Sequence, residues 1–275
     1  MKRFTALLLT LLILATLCLS GCSEKEPEYA NALERIKAEG KIVMATNPEW
    51  APYEFENLNA ENEEDKYVGA DIELGRYIAE QLGVELQIDA MSFETVIESI
   101  AQGRADMGIS GLAYREERAQ AVLLAGPYGV GESYQGALVR KEDAAELNTI
   151  ESLFGRKIGV QISSLQYELA EKYLQDCEYN LFSNPVDGVL ALRNGKVDAV
   201  LIASATGQGY CNNYDDIQMS DLRFPADTGE YVAINKENTE LYDAILEIVL
   251  EAESSGKFAA WLEEATALAE SLGVN

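Results

Sequence analysis

Between Asn47 and Tyr128 the chain strings together side chains that could hold a small organic anion. In order they are Asn47-Pro48-Glu49-Trp50-Ala51-Pro52-Tyr53-Glu54-Phe55, then Gly69-Ala70-Asp71, then Phe93, then Ser110-Gly111-Leu112-Ala113-Tyr114-Arg115-Glu116-Glu117-Arg118, trailed by Pro127-Tyr128. A guanidinium fork matches the two oxygens of a carboxylate and does not lose its proton, so Arg118 is the candidate anion ligand. Flat aromatic faces can sandwich an aliphatic or cationic chain, so Trp50 and Phe93 are the candidate walls. Each also has a plainer reading. An arginine beside Glu116 and Glu117 could sit in a surface ion pair, and two aromatics could be core.

The elements that must position these residues are legible from a repeated phrase. Ile97 to Ile109 reads as an apolar-spaced helix, a glycine stop at Gly103, a basic residue, Asp106 and a strand; Val189 to Ile202 repeats it with Gly195 and Asp198. The glycines suit the left-handed residue that ends a helix, and each aspartate can close the turn into the next strand. Two copies in one chain predict two similar α/β lobes. Elsewhere, residues 42–45 read as a buried strand, and a helix from Asp71 shows Leu74, Ile78 and Leu82 on one face before Gly83. Residues 84–88 and 157–161 read as strands, Ser163 with Gln166 has capping-box spacing, and residues 240–250 and 258–268 are amphipathic helices. Such alternation predicts largely parallel sheets covered on both faces.

Taken together, the segments from Trp50 to Tyr128 resemble the first lobe of the solute-binding proteins of polar amino-acid ABC transporters, and the resemblance runs from about Ala38 to Leu262. It implies an α/β, periplasmic-binding-protein-like type II fold with the ligand cleft between two lobes, and a chain that crosses between them twice, near 131–135 and near 224–228. The expected organisation is lobe one over 36–131 and 228–275 and lobe two over 132–227. By the same resemblance Arg118 takes the ligand's carboxylate, and Ser110, Gly111 and Ala113 offer backbone groups and, at Ser110, a hydroxyl. The turn Ser163-Ser164-Leu165-Gln166 directs a helix N-terminus at the ligand. Ala203 stands where the family usually has an aspartate for the α-ammonium, and Ala113 lacks a hydroxyl; Asn47 or Glu49 would then have to meet the cation. Arg115, often threonine in the family, is read as solvated. The implied function is capture of a polar amino acid or related small carboxylate for an ABC permease, by a monomer without cofactor or metal. Two alternatives are an enzyme on the same scaffold, of the cyclohexadienyl dehydratase type with Glu49 as its acid, and a ligand-sensing receptor domain.

The first residues address the compartment. Met1-Lys2-Arg3, an apolar run from Phe4 to Leu19, and Leu19-Ser20-Gly21-Cys22 make a lipoprotein signal peptide over 1–21, with Cys22 lipidated and 22–35 as a tether. The run is shorter than the roughly 20 residues a membrane span needs. An extracytoplasmic protein anchored by lipid is therefore expected. The chain carries 21 basic and 47 acidic residues, a formal charge of −26. So acidic a surface repels phosphate backbones, which excludes nucleic acid as a partner. Histidine is absent, which excludes Ser-His-Asp catalysis and His-based zinc sites. Cys177 and Cys211 are left after the leader and the anchor; the compartment permits a disulfide, and two unrelated thiols fit equally.

Overall fold

Strands and helices alternate through almost the whole of the chain, and they build two sheets of one design. The computed structural model describes residues 29–131, 133–226 and 229–274, so the leader, Cys22 and the first part of the tether lie outside the described residues. Helix α1 (Ala32–Glu39), capped by the Asn31 side chain on the Glu34 N–H, leads to β1 (Lys41–Thr46). A small antiparallel sheet follows, made of β2 (Glu49–Trp50), β3 (Glu54–Glu56) and β4 (Tyr67–Val68). Then come α2 (Ala70–Leu82), β5 (Glu85–Ala90), α3 (Phe93–Ala101), β6 (Met107–Gly108), α4 (Glu116–Ala121) and β7 (Val122–Tyr128). The next stretch holds β8 (Gln135–Arg140), β9 (Lys157–Gln161), α5 (Leu165–Tyr173), β10 (Glu178–Phe182), α6 (Pro185–Arg193), β11 (Ala199–Ala203), α7 (Ser204–Asn213) and β12 (Ile217–Met219). The chain ends with β13 (Glu230–Asn235), α8 (Thr239–Ser254) and α9 (Lys257–Leu272).

The first sheet has the order β5-β1-β6-β13-β7 and the second β10-β9-β11-β8-β12. In each, four strands run the same way and one, β13 in the first and β8 in the second, runs against its two neighbours. The expectation of largely parallel sheets therefore holds except at that one strand of each. The cause is the double crossing. Strands β8 and β13 each arrive from the other lobe and enter at the cleft end, where β11 and β6 finish, so they must run against them.

Alternation along the strands sets two buried faces per sheet. On β8, Ala137 and Val139 join Ile158, Val160 and Leu201 on one side, while Leu138 faces Val189, Leu192, Val200 and Ile202 on the other. In the first lobe Ile42, Met44, Ile78, Val232 and Phe258 form one core, and Val96, Ile100, Val122 and Ala233 the other. Each fully buried aliphatic side chain stabilises the fold by roughly 1.5–3 kcal/mol, which holds both sheets rigid behind the cleft.

The repeated phrase has a structural counterpart. Gly103 and Gly195 are left-handed (φ 69° and 68°) two residues beyond their helices. Asp106 and Asp198, however, do not close their own turns. Asp106 accepts from the Val43 N–H at 2.8 Å and Asp198 from the Lys157 N–H at 2.9 Å, so each pins the neighbouring parallel strand instead. The cap of α5 is also shifted from expectation: the Ser164 hydroxyl accepts from the Tyr167 N–H, while Ser163 is left-handed at φ 59°. Cys177 and Cys211 are free thiols, one against each core of the second lobe. Among the described residues no helix is long and apolar enough to cross a membrane, and no group of three or more His, Cys, Asp or Glu could hold a metal ion.

Candidate functional site

The cleft ends of the two sheets meet around Arg118. The segment Ser110–Arg115 leaves β6, turns at left-handed Gly111 (φ 52°), and delivers Arg118 from the short helix α4. Arg118 is 5% exposed. One terminal nitrogen donates to the Ala113 carbonyl at 2.7 Å, and the other crosses the cleft to the Ser163 carbonyl at 3.0 Å. The guanidinium carbon lies 5.4 Å from the centre of the Phe93 ring, a cation–π contact. Burial and the neighbouring Arg115 bring its pKa down to about 10, against Glu230, Glu168 and Glu117, so the group stays charged at neutral pH.

Trp50, Phe93, Gly111, Ala113, Arg118, Gln135, Leu165, Gln166 and Glu230 enclose a cavity of about 10 Å³, which is about the room one water needs. The lobes are thus closed on one another. Outside it, a groove of about 580 Å³ runs along the mouth past Ile97, Arg115, Tyr167 and Leu181. Arg115 fastens that mouth. It donates from Nε to Glu168 at 2.7 Å and from a terminal nitrogen to the Ser163 carbonyl at 2.8 Å, both on the other lobe, and reaches Glu117 at 3.3 Å. Its side chain is 13% exposed, so the solvated reading is corrected.

Seven of the residues expected from sequence therefore share the cavity: Trp50, Phe93, Gly111, Ala113, Arg118, Leu165 and Gln166. The others stand outside it. Asn47 is buried behind the wall, its amide donating to the Met91 carbonyl, and Glu49 is exposed, adding only a last increment to the rise that burial and Tyr214 impose on the Tyr210 phenol. Ser110 uses its hydroxyl internally, accepting from the Asn47 N–H at 3.0 Å and donating to Glu54 at 2.8 Å. The Gly111 N–H goes to Asp71. Ser163 contributes its carbonyl to the two arginines rather than a hydroxyl to the cavity, and Ser164 is occupied with the α5 cap. Ala203 is buried and pairs in register with Gln135, offering only a methyl.

Three features went unread in the sequence. Gln135 lines the cavity and accepts from Gln166 at 2.7 Å, locking two buried amides across the second lobe. Glu230 heads β13 and bridges Ala113 through the backbone; its Oε2 is buried with no hydrogen-bond partner. Burial pushes its pKa up to about 8, with Asp71 adding and Arg118 opposing. Behind it sit Asp71 and Glu54. Asp71 accepts from Gly111 and from the Tyr128 hydroxyl at 3.1 Å, and burial still raises it to about 6. Burial and Asp71 hold Glu54 well above the usual carboxylate range. No local pattern marks Glu230 among 47 acidic residues; only the second crossing brings it to the cleft.

Known proteins share this architecture. Residues 42–265 match the family described as bacterial extracellular solute-binding proteins, family 3. The chain is 25% identical to the arginine-binding extracellular protein ArtP of Bacillus subtilis (strain 168) over 94% of its length and 95% of that protein's. Among solved structures, the amino acid ABC transporter substrate-binding protein AbpA from Streptococcus pneumoniae Canada MDR_19A, bound to L-arginine, superposes with a TM-score of 0.80 at 32% identity, covering 88% of this chain and 99% of that one. The ancestral amino-acid-binding protein AncCDT-1, a precursor of cyclohexadienyl dehydratase, superposes with a TM-score of 0.76 at 23% identity over 85% of this chain and 99% of that one, a likeness of fold alone.

Proposed function

From the premise that the chain belongs to the bacterial extracellular solute-binding proteins, family 3, we propose that it captures a polar amino acid or related small carboxylate and passes it to an ABC importer. The observation that carries this reading is the buried Arg118. Its guanidinium is aimed at a cavity both lobes enclose, held by two carbonyls that a carboxylate can replace. Binding begins with the lobes opening at the crossings, and closure returns Gln135, Leu165 and Gln166 onto a ligand already held by Arg118 between Trp50 and Phe93. The proposed hinge-bounded lobes are 36–131 with 228–275, and 132–227. The names of ArtP and AbpA put L-arginine first among the candidate ligands.

The proposed address is the outer side of a membrane, with Cys22 lipidated and the receptor monomeric. We also propose binding without turnover: family members among the matches are named as binding proteins. One observation speaks for the dehydratase alternative, since Glu230 is a cavity carboxyl whose pKa burial raises to about 8. Thermal-shift screening of the mature protein tests the primary reading. The probes are the twenty amino acids, L-cystine and amine-free carboxylates, and prephenate serves as a turnover control. A ligand at ~100 Kd adds ~2.7 kcal/mol, a rise of roughly 5–10 °C for a chain of this size. No shift from any amino acid or carboxylate overturns the reading, and consumption of prephenate replaces it with the enzyme.

A further inference from the structure

We propose that Glu230 is the acceptor for the ligand's α-ammonium group, so that the site selects α-amino acids over amine-free carboxylates and releases a proton when it binds one. The inference rests on the receptor reading above and deepens it. The walls of the cavity leave few other acceptors. Ala113 and Ala203 carry no polar side-chain atom, and the Gly111 carbonyl is engaged by the Ala113 N–H at 3.0 Å. The Gln135 oxygen already accepts from Gln166. Among the side chains that line the cavity, the buried Oε2 of Glu230 is the acceptor left without a partner. An acceptor kept dry without a donor is costly, and a cation is the partner that relieves the most.

Position narrows the cation further. Glu230 bridges Ala113 through the backbone, and Ala113 is also the residue whose carbonyl Arg118 grips. Anion clamp and cation acceptor therefore flank one residue, and a ligand that satisfies both at once carries its two charges on neighbouring groups. A carboxylate and an ammonium on one carbon meet that demand. A cation at the far end of a long side chain does not.

The groups around Glu230 settle its protonation. Asp71, Glu54, Tyr53 and Tyr128 crowd it from α2, the Trp50–Phe55 segment and β7, and Arg118 faces it from α4. Burial and Asp71 raise its pKa to about 8, so the uncomplexed site is mostly neutral at pH 7. An arriving ammonium favours the carboxylate and expels the proton to solvent. Because the free-state pKa is raised, affinity for an amino acid climbs as pH rises toward 8 and levels off above it.

Calorimetry decides the matter with four probes: L-arginine and its deaminated counterpart 5-guanidinopentanoate, and L-glutamine and its counterpart 5-amino-5-oxopentanoate. In two buffers of different ionisation enthalpy at pH 7, wild type is expected to release about one proton per amino acid bound and none with the deaminated partner. Glu230→Gln, which keeps shape and burial, is expected to lose at least tenfold in amino-acid affinity and its pH dependence, while binding the deaminated compound as wild type does. The proton count on wild type stands even where the variant folds poorly. Amino-acid binding with no proton released and Glu230→Gln within threefold overturns the inference and leaves the receptor reading intact. So does equal weakening of arginine and 5-guanidinopentanoate, which would place Glu230 on the side-chain cation. Failure of wild type to bind any of the four, or any amino acid in the thermal screen, overturns both together.

Discussion

Replacing Arg118 with alanine removes a cation that both lobes use. In the closed site its two terminal nitrogens hold the Ala113 and Ser163 carbonyls at 2.7 and 3.0 Å, and the proposed capture turns them onto the ligand's carboxylate. Hydrogen bonds to charged groups contribute about 1.5–3 kcal/mol each, and truncating one partner of a buried charged pair costs about 2–5 kcal/mol. Two such bonds set the expected loss at about 3–5 kcal/mol, two to nearly four decades in Kd. Stability should move far less, because the variant sheds a desolvated cation along with two carbonyl contacts and a ring contact to Phe93. Arg118→Lys should recover only part of the affinity, since an ammonium cannot span both carboxylate oxygens. The assay is titration calorimetry with L-arginine and L-glutamine on protein whose melting is checked in parallel. An Arg118→Ala protein that melts like wild type and binds within threefold would refute the reasoning and return the arginine to a structural role.

Arg115→Thr breaks the cross-lobe pair with Glu168 and the contact to the Ser163 carbonyl; with Glu168 half exposed, about 1 kcal/mol of closed-state stability should go. That would appear as a several-fold faster ligand off-rate in stopped flow, and an unchanged off-rate would show that the mouth is held by something else. Gly69 starts α2 at φ 126°, and a Cβ there would lie 2.2 Å from the Tyr53 carbonyl oxygen, so Gly69→Ala should destabilise by about 2–4 kcal/mol in a denaturant melt. A loss under 1 kcal/mol would mean the Tyr53 turn moves aside freely. Cys22→Ala should yield protein without lipid on mass spectrometry of the membrane fraction, and a native N-terminus mapped to another residue would dismiss the anchor.

Local pattern carried much of this protein. The helix stops at Gly83, Gly103 and Gly195, the strand over 157–161 and the paired lobes are dictated by steric freedom at glycine and by the period of apolar residues, both properties of short segments. That Trp50, Phe93 and Arg118 come together was legible too, because their motif lies within one continuous stretch of the first lobe. Contacts that join distant stretches were not. Strand direction beside β6 and β11 follows from where the chain re-enters each lobe. Asp106 and Asp198 pin strands 63 and 41 residues away. Arg115 became a fastening only when Glu168 was folded across from it, and Ser110 was drawn inward by Glu54. Glu49, adjacent to Trp50 in sequence, points to solvent because successive residues of a strand face opposite ways, whereas Glu230 reaches the cavity from the far end of the chain. Its raised pKa is likewise tertiary in origin, since burial and Asp71 act on it only once the second crossing has set them side by side.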